Sequence, residues 1–181
     1  FTADGYPLDR LADALKAWAL NEDYLMPVLP LIRQRIHKLS DIAGLAAFFL
    51  QGDDLDLTAE QLAHPKLDTE ALVRVLRWSL WHLDAVAQWD APGIEAALRG
   101  CAELCELKLR DYLKPFFIAL TGQASSTPLF DTMAILGRDL VRARLRRAMD
   151  LLGGVSKKKE AKLQKAYEAA IRALSDSPAP E

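Results

Sequence analysis

The spacing of apolar residues constrains this chain more than any other feature. They return every three or four positions along almost its whole length, the repeat of a helix with one buried stripe. No stretch alternates apolar and polar residues long enough to read as a strand. The expected fold is therefore all-α. Leu8, Leu11, Ala12, Leu15 and Trp18 mark the face of a first helix. A short second helix is expected from Pro30 to about His37, with Pro27 and Pro30 as its punctuation. Ser40 is placed to cap a helix over residues 41–50. Thr58 and Gln61 form a capping-box pattern for a short helix ended near Pro65. The clearest helix runs from Thr69 to Gln88, with Leu72, Val75, Leu76, Leu80 and Leu83 on one face and Ser79 small enough to join them. Asp90 and Pro92 open another helix, to about Leu107. Tyr112 to Leu120 is a short helix closed by Gly122. After a polar loop, Thr127-Pro128 opens the next, and Gly137 precedes a long basic helix to Leu152. Ser156 to Leu174 is a last amphipathic helix with the stripe Leu163, Tyr167, Ala170, Ile171 and Leu174. A Pro/Ser tail follows, expected to be disordered.

The net charge of −2 hides a strong asymmetry. Residues 138–175 hold eleven basic and four acidic side chains, a surplus of +7, so the rest of the chain carries −9. A basic end of this kind points to a polyanion partner. With 51% hydrophobic residues, the 181-residue chain has enough apolar material for one or two packed domains. No run of about 18 apolar residues argues for a membrane span, and a reducing cytoplasm is the expected setting. Cys101 and Cys105 lie four apart in an apolar helical stretch, which reads as two buried thiols without a metal or a disulfide. The first residue is Phe1 rather than Met, which suggests a piece of something longer.

Enzyme signatures are missing. There is no Gly-rich phosphate loop and no GxSxG. His37, His64 and His82 are scattered, with no acid or nucleophile at a telling spacing. The tryptophans Trp18, Trp78, Trp81 and Trp89 read as core or interface aromatics. The loop after Gly122 says more. Ser125, Ser126 and Thr127 are short hydroxyl residues, Leu129 and Phe130 are apolar, and Arg138, Arg142, Arg144 and Arg146 follow. Unpaired RNA bases are bound by such a mixture: bases stack on apolar surfaces, short polar groups meet their edges, and arginines hold the phosphates.

Three segments then carry a resemblance. They are Lys114-Pro-Phe-Phe-Ile-Ala-Leu-Thr-Gly122, Thr127-Pro-Leu-Phe-Asp-Thr-Met-Ala-Ile-Leu-Gly137, and Arg142-Ala-Arg-Leu-Arg-Arg-Ala148. In this order and spacing they resemble the C-terminal end of bacterial glutamyl-tRNA synthetases, where a Pro-Leu-Arg-x-Ala-Leu-Thr-Gly segment leads through a loop to a helix ending in Leu-Gly. Upstream, Leu31 to Leu45 resembles that family's Arg-x-Lys-Thr-Leu helix junction, and Phe48-Phe49 the aromatic pair after it. The match covers about Leu25 to Leu152.

The resemblance implies an α-helical cage of the class I anticodon-binding type, which cradles the tRNA anticodon. Residues 1–47 and 48–154 would be its two helical subdomains, and 155–181 a basic helix with a tail. In the family an arginine at the helix junction reads the third anticodon base. The matching position is Arg35, with Arg33 as the alternative. By spacing from Gly122, Ser126 and Leu129 match the residues that meet the first two bases, beside Thr127. Phe117 stands where the family has an arginine; it cannot donate a hydrogen bond but can stack. The implied partners are glutamate tRNA and a catalytic domain of the same polypeptide, with neither DNA nor membrane. ATP and Mg²⁺ would belong to that catalytic domain and none to this segment. Its signature motifs are absent here. Lys38-Leu39-Ser40-Asp41 echoes one of them but lacks the second lysine and reads as a helix cap.

Overall fold

A computed structural model describes residues 7–18 and 21–175, and within them the regular elements are helices joined by turns and loops. The expected tail beyond Ser175 lies outside the described residues, as do residue 1 and the side chains of Leu8 and Trp18. The only β feature among them is an isolated bridge between His64 and Leu67. The chain forms two compact units, Phe1–Leu50 and Gln51–Glu181.

The first unit holds α1 (Leu8–Trp18), α2 (Glu22–Ile32) and α3 (Asp41–Ala46), with one-turn 3-10 segments at Arg33–Arg35 and Ala47–Phe49. The helix expected from Pro30 to His37 is corrected. Helix α2 begins eight residues earlier and holds both Pro27 and Pro30 inside it. Its start is set by Asn21, whose Oδ1 accepts from the Asp23 amide at 2.9 Å, and by Glu22 and Asp23 at the positive end of the helix dipole. These start signals outweigh the two amide bonds the prolines forgo. Val28, Ile32, Phe48 and Phe49 are buried, and the Tyr24 hydroxyl donates to the Phe49 carbonyl at 2.6 Å. Leu15 is nearly half exposed, so the expected apolar face of α1 is only partly covered.

The second unit is built round α4 (Thr69–Asp84). It is followed by α5 (Ala91–Leu104), α6 (Leu109–Thr121), α7 (Leu129–Leu136), α8 (Arg138–Leu151) and α9 (Lys157–Ser175). Helix α4 packs against α5, α6, α8 and α9. Its Leu72, Val73, Val75, Leu76, Leu80 and Leu83 are 0–2% exposed. Ser79 sits among them because its hydroxyl proton goes to the Val75 carbonyl at 2.6 Å. That leaves its oxygen to accept from the buried Tyr112 hydroxyl. Asp68 and Asp90 cap α4 and α5 by accepting amides three residues on. Gly122 and Gly137, at φ +71° and +79°, close α6 and α7 in conformations that favour glycine.

Two further expectations are corrected. Thr58 and Gln61 do exchange the reciprocal capping bonds, but only a turn follows. One turn cannot recover the cost of starting a helix. The segment is held instead by buried Leu55, Leu57 and Leu62. Helix α4 stops at Asp84 rather than Gln88, and Arg138 from α8 takes up its terminal carbonyls, as described below.

Asp111, at the start of α6, receives Lys66 Nζ at 2.6 Å and lies 3.7 Å from Lys114. The Lys66 hydrogen bond holds its carboxyl below the usual aspartate range. A depressed folded-state value means that the pair's contribution is whole above the unfolded value. It is lost as pH falls through the folded one. Urea melts of Asp111→Asn between about pH 2 and 6 should show a shallower acid limb than the parent. Parallel limbs would remove this pair from the account of acid sensitivity.

Candidate nucleic-acid interface

In the first unit, the last turn of α2 tightens into the 3-10 segment Arg33–Arg35. Ile32 is fully buried just before it, so the turn is anchored while Arg33 and Arg35 are exposed. Met26, Leu29, Pro30 and Ile36 form an apolar groove of about 660 Å³, with Arg33 and Gln34 on its edge. Met26 is 56% exposed there. After the turn, the Asp41 carboxylate accepts the amides of His37 and Lys38 at 3.0 and 3.1 Å. Ser40 makes no capping bond, so the expected cap is corrected: the Asp41 carboxylate holds the turn before α3 and no side chain caps the helix's own amides. An apolar wall beside a guanidinium and a carboxamide is chemistry suited to an unpaired base. The ring stacks on the wall, and its edge meets planar donors.

In the second unit, the loop between α6 and α7 starts at Thr121. Its hydroxyl donates to the Phe117 carbonyl at 2.7 Å and accepts the Gln123 amide at 3.2 Å. Phe117 itself is half-buried. Three expected base-reading side chains point inward. Ser126, Thr127 and Leu129 are 8%, 2% and 4% exposed. Thr127 Oγ1 lies 2.6 Å from Thr132 Oγ1, which donates to the Pro128 carbonyl at 2.7 Å. These hydroxyls hold the loop's shape, a service that short polar side chains perform readily. Facing outward are Ala124, Ser125 and Pro128.

The arginines of α8 divide sharply. Arg144 is 1% exposed. Its Nε donates to the Gly52 carbonyl at 3.0 Å, one terminal nitrogen to the Gln51 carbonyl at 2.6 Å, and the other to the Leu120 carbonyl. A surface phosphate contact is therefore the wrong role for it. The guanidinium is a buried tie between the chain at 51–52 and the end of α6. Arg138 donates to the carbonyls of Leu83, Asp84 and Val86 and stacks 5.0 Å over the Trp89 ring. Arg142 pairs with Asp84 at 3.1 Å. Two cations thus sit at the negative end of α4: Arg138 satisfies its last carbonyls, and Arg142 meets the Asp84 carboxylate. Arg146 alone of the four is exposed, and it lines a cleft with Lys157 and Glu160. A sequence signal for Arg144 does exist: with Val141, Leu145 and Ala148 it falls on the buried stripe of α8.

The remaining reactive groups serve packing. Cys101 and Cys105 are buried and reduced, and burial together with a proton shared with Cys101 pushes the Cys105 thiol up. His82 Nδ1 meets the Tyr167 hydroxyl at 2.7 Å. Among the described residues no group of three His, Cys, Asp or Glu side chains could hold a metal ion, and no helix is long and apolar enough to cross a membrane.

Residues 10–149 match the family model described as an anticodon binding domain. The chain is also similar to proteins named glutamate–tRNA ligase. It is 41% identical to that of Marinomonas sp., 43% to that of Stutzerimonas stutzeri and 42% to that of Pseudomonas putida, each over 159 residues. Those alignments take in 88% of this chain and 32% of each relative, so the chain spans about a third of the length of the curated relatives it matches.

Proposed function

Since the chain belongs to the anticodon-binding domain family, we propose that it is the anticodon-reading part of a glutamate–tRNA ligase and binds glutamate tRNA through unpaired bases. Its two units act as the two helical subdomains of that part. The chemistry, activation of glutamate with ATP and Mg²⁺ and transfer to tRNA in the cytoplasm, belongs to a catalytic domain elsewhere in the same polypeptide. This chain makes that transfer depend on the anticodon.

The observation that carries the reading is the exposed Arg33–Arg35 turn beside an apolar groove. A guanidinium donates two parallel hydrogen bonds to one base edge, which neither lysine nor a hydroxyl can match. The turn sits on a buried anchor, so little ordering is left for the moment of binding. Arg35 takes the third anticodon base, with Arg33 and Gln34 closing the groove's rim. On the second unit, base contact falls to Ser125, to the backbone of the loop, and to stacking on the exposed part of Phe117. Phosphates are held by Arg146.

Arg35→Ala should lower affinity for glutamate tRNA by about 1–3 kcal/mol, the scale of one bidentate base contact. It should have far less effect on a tRNA changed at the third anticodon base. Filter binding of both RNAs to both proteins reads this out, with Arg33→Ala alongside. Equal loss on both RNAs would demote Arg35 to a phosphate contact. A tRNA affinity that stays flat between about 50 and 200 mM salt would favour a helical protein scaffold without RNA binding.

A further inference from the structure

Helix α9 begins beyond the stretch that matches the anticodon-binding family, and it is two-sided. Its inner side docks on α4. Leu163 is 6% exposed, and its carbonyl accepts the Trp78 indole N–H at 3.3 Å. The Tyr167 ring packs against Trp78, Trp81 and His82 with centroids 5.6, 5.0 and 5.4 Å away. Glu160 turns inward to pair with Arg77, which itself lies over Trp81. The acid nearest the lysines is thereby taken up by the docking side.

The outer side carries Lys158, Lys162, Lys165 and Arg172, all exposed. At 100° per residue they fall within about 80° of the helix circumference, roughly half a turn from Tyr167, and span about 21 Å of its axis. Lys162 lies 3.7 Å from Glu70, and Arg172 lies 3.9 Å from Glu168. In both pairs the partners are largely open to water, so these contacts do little to neutralise the row. Between the cations the same face shows only Ala161 and Ala169. There is no large apolar side chain to anchor a protein partner and no aromatic on which a base could stack. Lysine supplies point charges on flexible stems, without the planar fork that reads an edge.

We propose that this row is a second RNA-binding surface, one that tracks the phosphate backbone of the tRNA outside the anticodon loop and reads no sequence. It rests on the reading of the chain as a tRNA-binding part. Its contribution is uniform across tRNAs, whereas that of the Arg33–Arg35 turn depends on the anticodon. On the apolar side of α9, Leu163 and Tyr167 are seated on α4, while Ile171 and Leu174 in its last turns stay exposed.

The test uses the whole chain carrying Lys158→Gln, Lys162→Gln and Lys165→Gln together, with the three Lys→Arg changes as the charge-preserving control. The lysines are exposed, so thermal melting should match the parent. Binding is measured to glutamate tRNA and to its third-anticodon-base variant across about 50 to 200 mM salt. The expected result is an equal loss on both RNAs of about tenfold or more at low salt. The slope of log affinity against log salt should fall by about 2–3, and the arginine control should restore both. Unchanged affinity and slope in the glutamine variant, with the parent still discriminating the two tRNAs, would overturn this surface and leave the anticodon reading standing. Equal parental affinity for both RNAs, still lost in the variant, would support the surface and remove the anticodon reading. Loss of binding to phosphatidylserine vesicles alone, with tRNA affinity intact, would overturn it in favour of a lipid contact.

Discussion

Arg144→Ala should cost about 3–5 kcal/mol of folding stability, near the upper end of what one substitution does. The guanidinium is almost wholly buried, and its charge is held by three carbonyl dipoles. One of these, Leu120, belongs to the last turn of α6, the negative end of that helix. Alanine removes the donors, leaves the carbonyls of Gln51, Gly52 and Leu120 in a dry place, and opens a void where the largest fully buried side chain stood. With a slope of 1–3 kcal/mol per M, the urea midpoint should fall by roughly 1–5 M. Arg144→Met keeps much of the volume and none of the donors, so it should recover only part of the loss. Arg144→Lys keeps charge but not the three-way fork, and should also fall short. A full-stability Arg144→Ala variant that merely binds RNA less well would return this residue to the surface.

Trp78→Ala should cost about as much, on the order of 3–5 kcal/mol, for a different reason. The ring is 5% exposed within α4, its indole N–H holds the Leu163 carbonyl, and its edge meets Tyr167. Truncation removes core volume and most of the seat on which α9 rests. Two measurements should therefore move together: the urea midpoint falls, and limited trypsin begins to cut at the lysines of α9. Trp78→Phe keeps most of the ring and loses only the hydrogen bond, so a loss of about 1 kcal/mol is expected. If Trp78→Ala left α9 as resistant to trypsin as in the parent, the docking would have to rest on Leu163, Tyr167 and the Arg77–Glu160 pair without it.

The all-α fold was legible because periodicity survives every other ambiguity. The face of α4 and the stop at Gly122 follow from residues whose physics is local. What misled was signal of the same strength pointing two ways. Pro30 suits a first turn better than an interior position, and only Asn21 with Glu22 and Asp23 decides for the longer helix. Thr58 and Gln61 make their capping bonds with no helix to cap. The candidate site was legible in outline and blurred in detail. An arginine on a basic helix looks alike whether it faces water or the core, and Arg138, Arg142 and Arg144 found acceptors that are remote in sequence. Ser126 and Thr127 read as base contacts because hydroxyls suit that work, yet hydroxyls are also what a tight loop uses to satisfy itself. Arg33 and Arg35 kept their exposure because they sit on a turn, where the neighbouring backbone leaves no interior for them to enter.

The Arg144 tie also orders events during synthesis. Its carbonyl partners at Gln51 and Gly52 precede it by 93 and 92 residues. As the chain emerges from the ribosome, those two carbonyls must wait in water until α8 has been made and has found its place. Closure over so long a stretch is slow compared with forming any one of the helices between. The segment that opens the second unit is thus among the last to lock, although it is the first of that unit to be translated. A nascent chain stalled just before Arg144 would hold the sequence of α4 to α7 and lack the clasp that ties residues 51–52 to the end of α6.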